Sequence, residues 1–309
     1  MEKQISLLVS LFLLCGASLQ AQLLWKICGN GLQKPSYLLG ISTYAPIESI
    51  DDIPGLRAVY DATEQVCGVV AVTDSSAVEK VSLELPKGTT LLSLFKEDEQ
   101  FMLRSFIKKF YFLDVEDSTI CHESPLWLLL VMEEVDIRCS AEEMYDFLKI
   151  GRTTFSDSLQ HLALERNIPV KGLVSRATNL DFGKKKLYLD MPMKRQKTVL
   201  LDYVLNFSKK YESIVQDIEA YQTQNLDSIN HCSYISNTLS KNYKKVTCSE
   251  IQEWSDNIPP IIETHSTLIV LPVNALLGPK RKNSIIERLR NKGYTVEAIN
   301  AKDWIVSRQ

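Results

Sequence analysis

The sequence predicts an α/β fold: a mixed, largely parallel sheet flanked by helices, with a mostly helical middle region. Three observations carry this. Short apolar, β-branched runs such as Val66 to Val72 and Thr267 to Val273 recur along the chain and have the length of buried strands. Between them, residues about 97–165 and 190–265 carry apolar side chains at helical spacing. The closing segment reads strand, helix, strand, as a βαβ unit does.

Leu23 to Cys28 is the first strand candidate. The turn formers Gly29-Asn30-Gly31 follow, and after Lys34-Pro35 comes a second apolar run, Tyr37 to Ile41, so a hairpin or close strand pair is expected. Pro54 to Thr63 reads as a helix with proline near its first turn. Val66 to Val72 is a buried strand. Phe101, Phe106 and Phe110 mark a helix, and Pro125 starts a very apolar one, Leu126 to Met132. Phe155, Leu159, Leu162 and Ala163 share a face of Thr153 to Arg166, and a short strand, Ile168 to Leu173, comes next. Met191 to Asn225 predicts one long helix, with Val199, Tyr203, Phe207, Tyr211, Ile214 and Ile218 spaced by three or four. Ile251 to Ile262 is a further helix that Pro259-Pro260 should kink or shorten. In the closing unit Thr267–Val273 and Tyr294–Ile299 are expected as neighbouring parallel strands. The amphipathic segment Asn283–Lys292, stopped by Gly293, would join them by a right-handed crossover.

Residues 1–21 have a different character. Glu2-Lys3 precedes an apolar run from Ile5 to Leu14, and Leu19-Gln20-Ala21 ends in a small residue, the pattern of a secretory signal peptide cleaved after Ala21. The run is too short to span a membrane, which takes about twenty apolar residues. Leu14 stands before Cys15 where lipid-modification signals want something small, so lipid attachment there is disfavoured. No other apolar stretch is long enough to span. The expectation is a protein exported to the periplasm or cell envelope, with 22–309 as one domain and 97–165 and 190–265 as helical insertions. A net charge of −3 gives no reason to expect nucleic acid as partner. The basic clusters Lys184-Lys185-Lys186 and Lys280-Arg281-Lys282 have no alternating aromatics and read as solvated loops.

Six cysteines remain after residue 21, at positions 28, 67, 121, 139, 232 and 248. Cys67 lies in an apolar run and is expected as a buried thiol. Cys232 and Cys248 flank a polar stretch and are the preferred disulfide pair. No two cysteines have the close spacing of a structural zinc site.

In open α/β sheets ligands gather beyond the carboxyl ends of strands. There the sequence offers Ser42-Thr43-Tyr44, Val69-Val70, Val174-Ser175-Arg176 and Asn274-Ala275-Leu276, without a histidine, carboxylate or cysteine. His122, His161, His231 and His265 lie elsewhere, none with a helical i, i+4 partner. No Gly-x-Ser-x-Gly elbow, dinucleotide fingerprint or phosphate loop is present, and no cofactor is implied.

Leu24-Trp25-Lys26-Ile27-Cys28-Gly29-Asn30-Gly31, continued by Lys34-Pro35-Ser36-Tyr37-Leu38-Leu39-Gly40, resembles the opening of the TraB/GumN family, which includes PrgY and the Tiki proteases. Leu268 to Gly278, followed by Ile285 to Val296, is similar to the family's closing motif. Thr63 to Gly68 and Pro169 to Leu173 resemble two further blocks. The resemblance implies metal-dependent hydrolase or peptidase chemistry on paired Gly-x-x-His motifs and a glutamate. Every matching position departs from that pattern. The first histidine falls on Thr43 and the second on Ala275, whose motif glycine becomes Pro272. The acids fall on Val69 and Val174, and an insertion around Lys280-Arg281-Lys282 enlarges the loop beside the second motif. Two readings follow. The favoured one is a catalytically inactive envelope protein that keeps the fold to bind an envelope protein or ligand, with no metal. The other is an active hydrolase on non-standard residues, with Cys121, His122 or Glu123 as candidates.

Overall fold

The computed structural model describes residues 23–42, 50–76, 83–138, 154–176, 191–223, 234–277 and 283–299. Strands β1 (Leu24–Gly29) and β2 (Ser36–Ile41) form the expected antiparallel hairpin, with Trp25 opposite Leu38 and Ile27 opposite Ser36. Its turn works because Gly29, Asn30 and Gly31 all take positive φ, which glycine adopts freely and asparagine tolerates. Helix α1 (Leu56–Ala62) leads into β3 (Gln65–Gly68). Helices α2 (Glu97–Tyr111), α3 (Pro125–Arg138) and α4 (Phe155–Glu165) precede β4 (Val170–Gly172). Helices α5 (Met193–Leu205), α6 (Phe207–Gln222) and α7 (Tyr234–Ile262) come next. The chain closes with β5 (Thr267–Pro272), α8 (Val273–Leu277), α9 (Ile285–Asn291) and β6 (Tyr294–Ala298).

The strands form one sheet in the order β4-β3-β5-β2-β1-β6. β4, β3, β5 and β2 are mutually parallel; β1 runs against β2 and β6. The sheet is therefore mixed and mostly parallel, as expected. β5 and β6 share the sheet and its direction, but they are not neighbours. β5 lies between β3 and β2, whereas β6 is at the edge beside β1. The local strand–helix–strand pattern is compatible with either placement; the hairpin decides it, because β1 occupies the position beside β2 and offers its other edge to β6.

Both faces of the sheet are covered. Leu24, Leu39, Val66, Leu268 and Val270 pack against Leu56 and Tyr60 of α1, Leu159 and Ala163 of α4, and Ala220 and Tyr221 of α6. On the other face Ile27, Leu38, Cys67, Ile269 and Leu271 meet Ile251, Trp254 and Ile258 of α7 and Ile285, Ile286 and Leu289 of α9. Burial on both faces explains why these strands read as continuous apolar runs. A third core joins α2, α3 and α5 through Leu103, Ile107, Leu128, Met132, Leu200 and Tyr203, where the Tyr111 and Tyr203 hydroxyls meet at 2.7 Å. Each fully buried leucine or isoleucine there contributes about 1.5–3 kcal/mol.

Several boundaries differ from expectation for identifiable reasons. β3 stops at Gly68, short of Val72, because the Gln160 side chain of α4 takes over the backbone beyond it. Gln160 Oε1 accepts from the Val72 N–H at 3.0 Å and Nε2 donates to the Val70 carbonyl at 3.3 Å. The long helix expected over 191–225 breaks at Asn206, whose side chain donates to the Asp202 carbonyl at 3.0 Å. The helix expected from Ile251 starts at Tyr234 and ends, as expected, at Ile262, with Pro259-Pro260 inside it. Both stand in its last turn, where Pro259 leaves the Ser255 carbonyl without a helical donor. Lys292 Nζ, reaching across from α9, donates to that carbonyl at 2.9 Å.

Candidate functional site at the carboxyl edge of the sheet

Parallel pairing brings the carboxyl ends of β2, β5, β3 and β4 to one edge, with Ile41 beside Pro272 and Gly68 beside Gly172. The backbone continues the ladder past the last two strands: the Leu173 N–H donates to Gly68 O at 3.1 Å and the Val174 N–H to Val69 O at 3.0 Å. Two glycines make this approach possible. A Cβ on Gly172 would lie 2.6 Å from Ala71 N, and one on Gly68 would lie 2.3 Å from Gln160 Nε2. Beyond β5 the chain turns at once into α8, which carries Ala275. Gly40 of β2 lets that helix sit close, its Cβ position being 3.2 Å from Leu276 Cδ2 and from Val273 Cγ2.

Three of the four singled-out positions thereby meet in one apolar cluster. Val174 (9% exposed) and Ala275 (5%) are buried, and half-buried Val69 packs against the same group, together with Leu173, Leu271, Leu276 and Trp254. Thr43 lies outside the described residues. A divalent transition metal needs nitrogen, oxygen or sulfur donors, and valine and alanine have none in their side chains; Val69, Val174 and Ala275 do not fit such an ion. Among the described residues no group of three or more His, Cys, Asp or Glu side chains could hold one.

Spacing did not single out several polar groups on the helices and loops around the sheet. Tyr221 of α6 donates its hydroxyl to Gly40 O at 3.1 Å, and burial holds that phenol above its ordinary range. Asn257 of α7 donates to Leu173 O at 2.8 Å. One and two turns before Asn257, Glu253 and Glu250 lie on the same side of α7. Glu253 Oε2 is shut off from water without a hydrogen-bond partner. Burial, and then the Glu253 charge, push the Glu250 carboxyl up to about 7. Asp74 accepts from the backbone N–H groups of Ser76 and Arg176, both at 2.7 Å, tying the loops after β3 and β4 together; these bonds hold its carboxyl below the usual range. The i, i+3 spacing of the two glutamates was visible in sequence. The role of Gln160, from an element far along the chain, was not.

The remaining candidates lie apart. Cys121, His122 and Glu123 precede α3, beside the helical core. His122 is exposed, its Nδ1 3.3 Å from Thr89 O. Glu123 bridges Glu84 through the backbone, and burial, then the Glu84 charge, raises its carboxyl. His161 and His265 are exposed, and His231 lies outside the described residues. Cys67 is fully buried, as expected, and burial pushes its thiol up to about 12. Cys248 is half-buried on α7; Cys232, and with it the expected pairing, lies outside the described residues. Among the described residues no helix is long and apolar enough to cross a membrane.

Comparison with curated proteins returns no match, and comparison with solved structures returns none either. A family model does match: that of the TraB/PrgY/gumN family, over residues 23–298, which takes in every strand of the sheet and the apolar cluster at its carboxyl edge. The chain belongs to the TraB/PrgY/gumN family.

Proposed function

We propose that this protein is an exported member of its family whose hydrolytic site has been retired, and that it keeps the fold for a binding or structural role in the cell envelope. The observation that carries the reading is the apolar packing of Val69, Val174 and Ala275 at the carboxyl edge, at positions that by resemblance belong to the family's acids and second histidine. Apolar side chains do more than omit ligands. They dry the edge and raise the cost of holding a divalent charge there. The amino-terminal pattern of residues 1–21 supports export.

Protein purified without chelators is expected to carry no stoichiometric zinc, manganese or iron by elemental analysis, and to cleave no peptide. One bound equivalent in the unmodified protein would overturn the reading. The triple substitution Thr43→His, Val69→Glu and Ala275→His tests whether the replaced side chains are what was lost, and metal affinity gained by that variant supports it.

A further inference from the structure

Helix α2 turns one side to the helical core and the other to solvent. Leu103, Phe106, Ile107 and Tyr111 are buried. Glu97, Phe101, Ser105 and Lys108 are exposed and, at about 100° per residue, share a stripe roughly 80° wide on the opposite side. Phe101 is 73% exposed, the most of any large apolar side chain among the described residues. One exposed phenylalanine is ordinary; the order of the charges beside this one singles it out. Glu97 and Asp98 stand at the amino end of the face, Lys108 and Lys109 at the carboxyl end. Arg104, between them, is taken up by Glu116 at 2.9 Å, and Glu99 by the Lys96 N–H at 2.8 Å. Lys109 lies over its neighbour's ring, 5.0 Å from the Phe110 centroid. Among the described residues Glu97, Asp98 and Lys108 meet no opposite charge. Acids first and bases last suit the helix's own dipole. They also make the face complementary to itself when it is turned end to end.

We propose that this face of α2 binds the same face of a second copy, the two helices running antiparallel across a two-fold axis level with Leu103. In that register Glu97 and Asp98 of each copy meet Lys109 and Lys108 of the other. Each Phe101 ring lies over the second copy's Ser105, a small side chain that leaves room for it. Phe101 supplies the apolar contact near the axis, where water is excluded most completely, and the charges fix the direction: parallel helices would bring like charges together at both ends. The same patch serves both copies, as a two-fold interface requires. A helix of 15 residues is about 22 Å long, so the contact is small and the dimer forms and dissociates with concentration. An anionic membrane is a poorer match, because the face offers it as many acidic as basic groups.

Sedimentation velocity of the purified protein from about 1 to 100 μM, the range in which so small an interface dissociates, is expected to show a monomer giving way to a dimer. Phe101→Ser, at a position 73% exposed, should keep the far-ultraviolet circular dichroism and weaken the dimer about tenfold or more. Two charge variants test the direction. Lys108→Glu with Lys109→Glu makes both ends of the face acidic, and Glu97→Lys with Asp98→Lys makes both ends basic. Each should be monomeric alone, and their mixture should form a one-to-one complex. A protein monomeric at every concentration, a dimer indifferent to Phe101→Ser, or folded charge variants that do not associate when mixed would overturn the proposal. So would a monomer that binds phosphatidylglycerol vesicles through Phe101, which would give the face to lipid instead. Should a charge variant lose its circular dichroism, Phe101→Ser decides alone.

Discussion

Gly172→Ala is the sharpest test of how the carboxyl edge is built. The added Cβ would stand 2.6 Å from Ala71 N and 3.0 Å from Val174 O, both backbone atoms, about 0.8 Å inside ordinary contact at the first. No rotamer change relieves a clash with main chain. β4, only three residues long, must move away from the loop after β3. That movement strains the Leu173–Gly68 and Val174–Val69 bonds, each worth about 1 kcal/mol net, on top of the ~1–3 kcal/mol usual for overpacking. The expected loss is about 2–4 kcal/mol, or a fall in Tm of roughly 3–6 °C for a chain of this size. Urea unfolding followed by far-ultraviolet circular dichroism and by tryptophan fluorescence measures it, since Trp254 packs in the same cluster as Leu173 and Val174. Gly88→Ala is the matched control. Gly88 has φ +81° and open space around its Cβ position, so only the left-handed backbone is penalised, at about 1 kcal/mol. A Gly172→Ala loss under about 0.5 kcal/mol, or one no larger than the control's, would show that β4 and the loop after β3 do not meet this closely.

Four further outcomes follow from the packing around α7 and α9. The Glu250 carboxyl is raised in the folded state above its unfolded value near 4.5, to about 7, so its contribution is present below pH 4.5 and lost as pH rises through 7. Glu250→Gln should match the unmodified protein near pH 4.5 and exceed its stability at pH 8 by on the order of 2 kcal/mol, discounted for partial exposure; an offset independent of pH would refute this. Lys292→Met should cost about 1–2 kcal/mol by denaturant midpoint, because the Ser255 carbonyl that Pro259 leaves unbonded loses its donor. Asp256→Asn, which removes the exposed charge that Lys292 and Gln252 meet, should cost less than about 0.5 kcal/mol. Ser284→Ala removes the acceptor of the Glu287 N–H at the start of α9 and is expected to cost about 1 kcal/mol in the same assay.

Much of the fold was legible because its signals are local. The Gly-Asn-Gly turn announces the β1–β2 hairpin through backbone conformations that those residues adopt with little strain. Gly293, at φ +91°, stops α9 as a residue without a Cβ does. The end of β3 was not legible. Val70 to Val72 continues the apolar run of Val66, and what takes it from the ladder is the carboxamide of Gln160, brought across by packing of α4. How α7 keeps Pro259-Pro260 in its last turn was not legible for a similar reason: the donor that satisfies the Ser255 carbonyl comes from another helix.

By itself the sequence determined the class of fold, the hairpin, the capped closing helix and the donor-free chemistry of Val69, Val174 and Ala275, since each is written in neighbouring residues or in a residue's own chemistry. Tertiary structure alone decided that β1 lies between β2 and β6, and that Val69, Val174 and Ala275 share one apolar cluster. It also set Glu250 and Glu253 in a half-buried place where one carboxylate oxygen has no partner. Strand order depends on which edges compete for pairing, and a side chain's solvation depends on what covers it; both are settled by contacts between segments far apart in the chain.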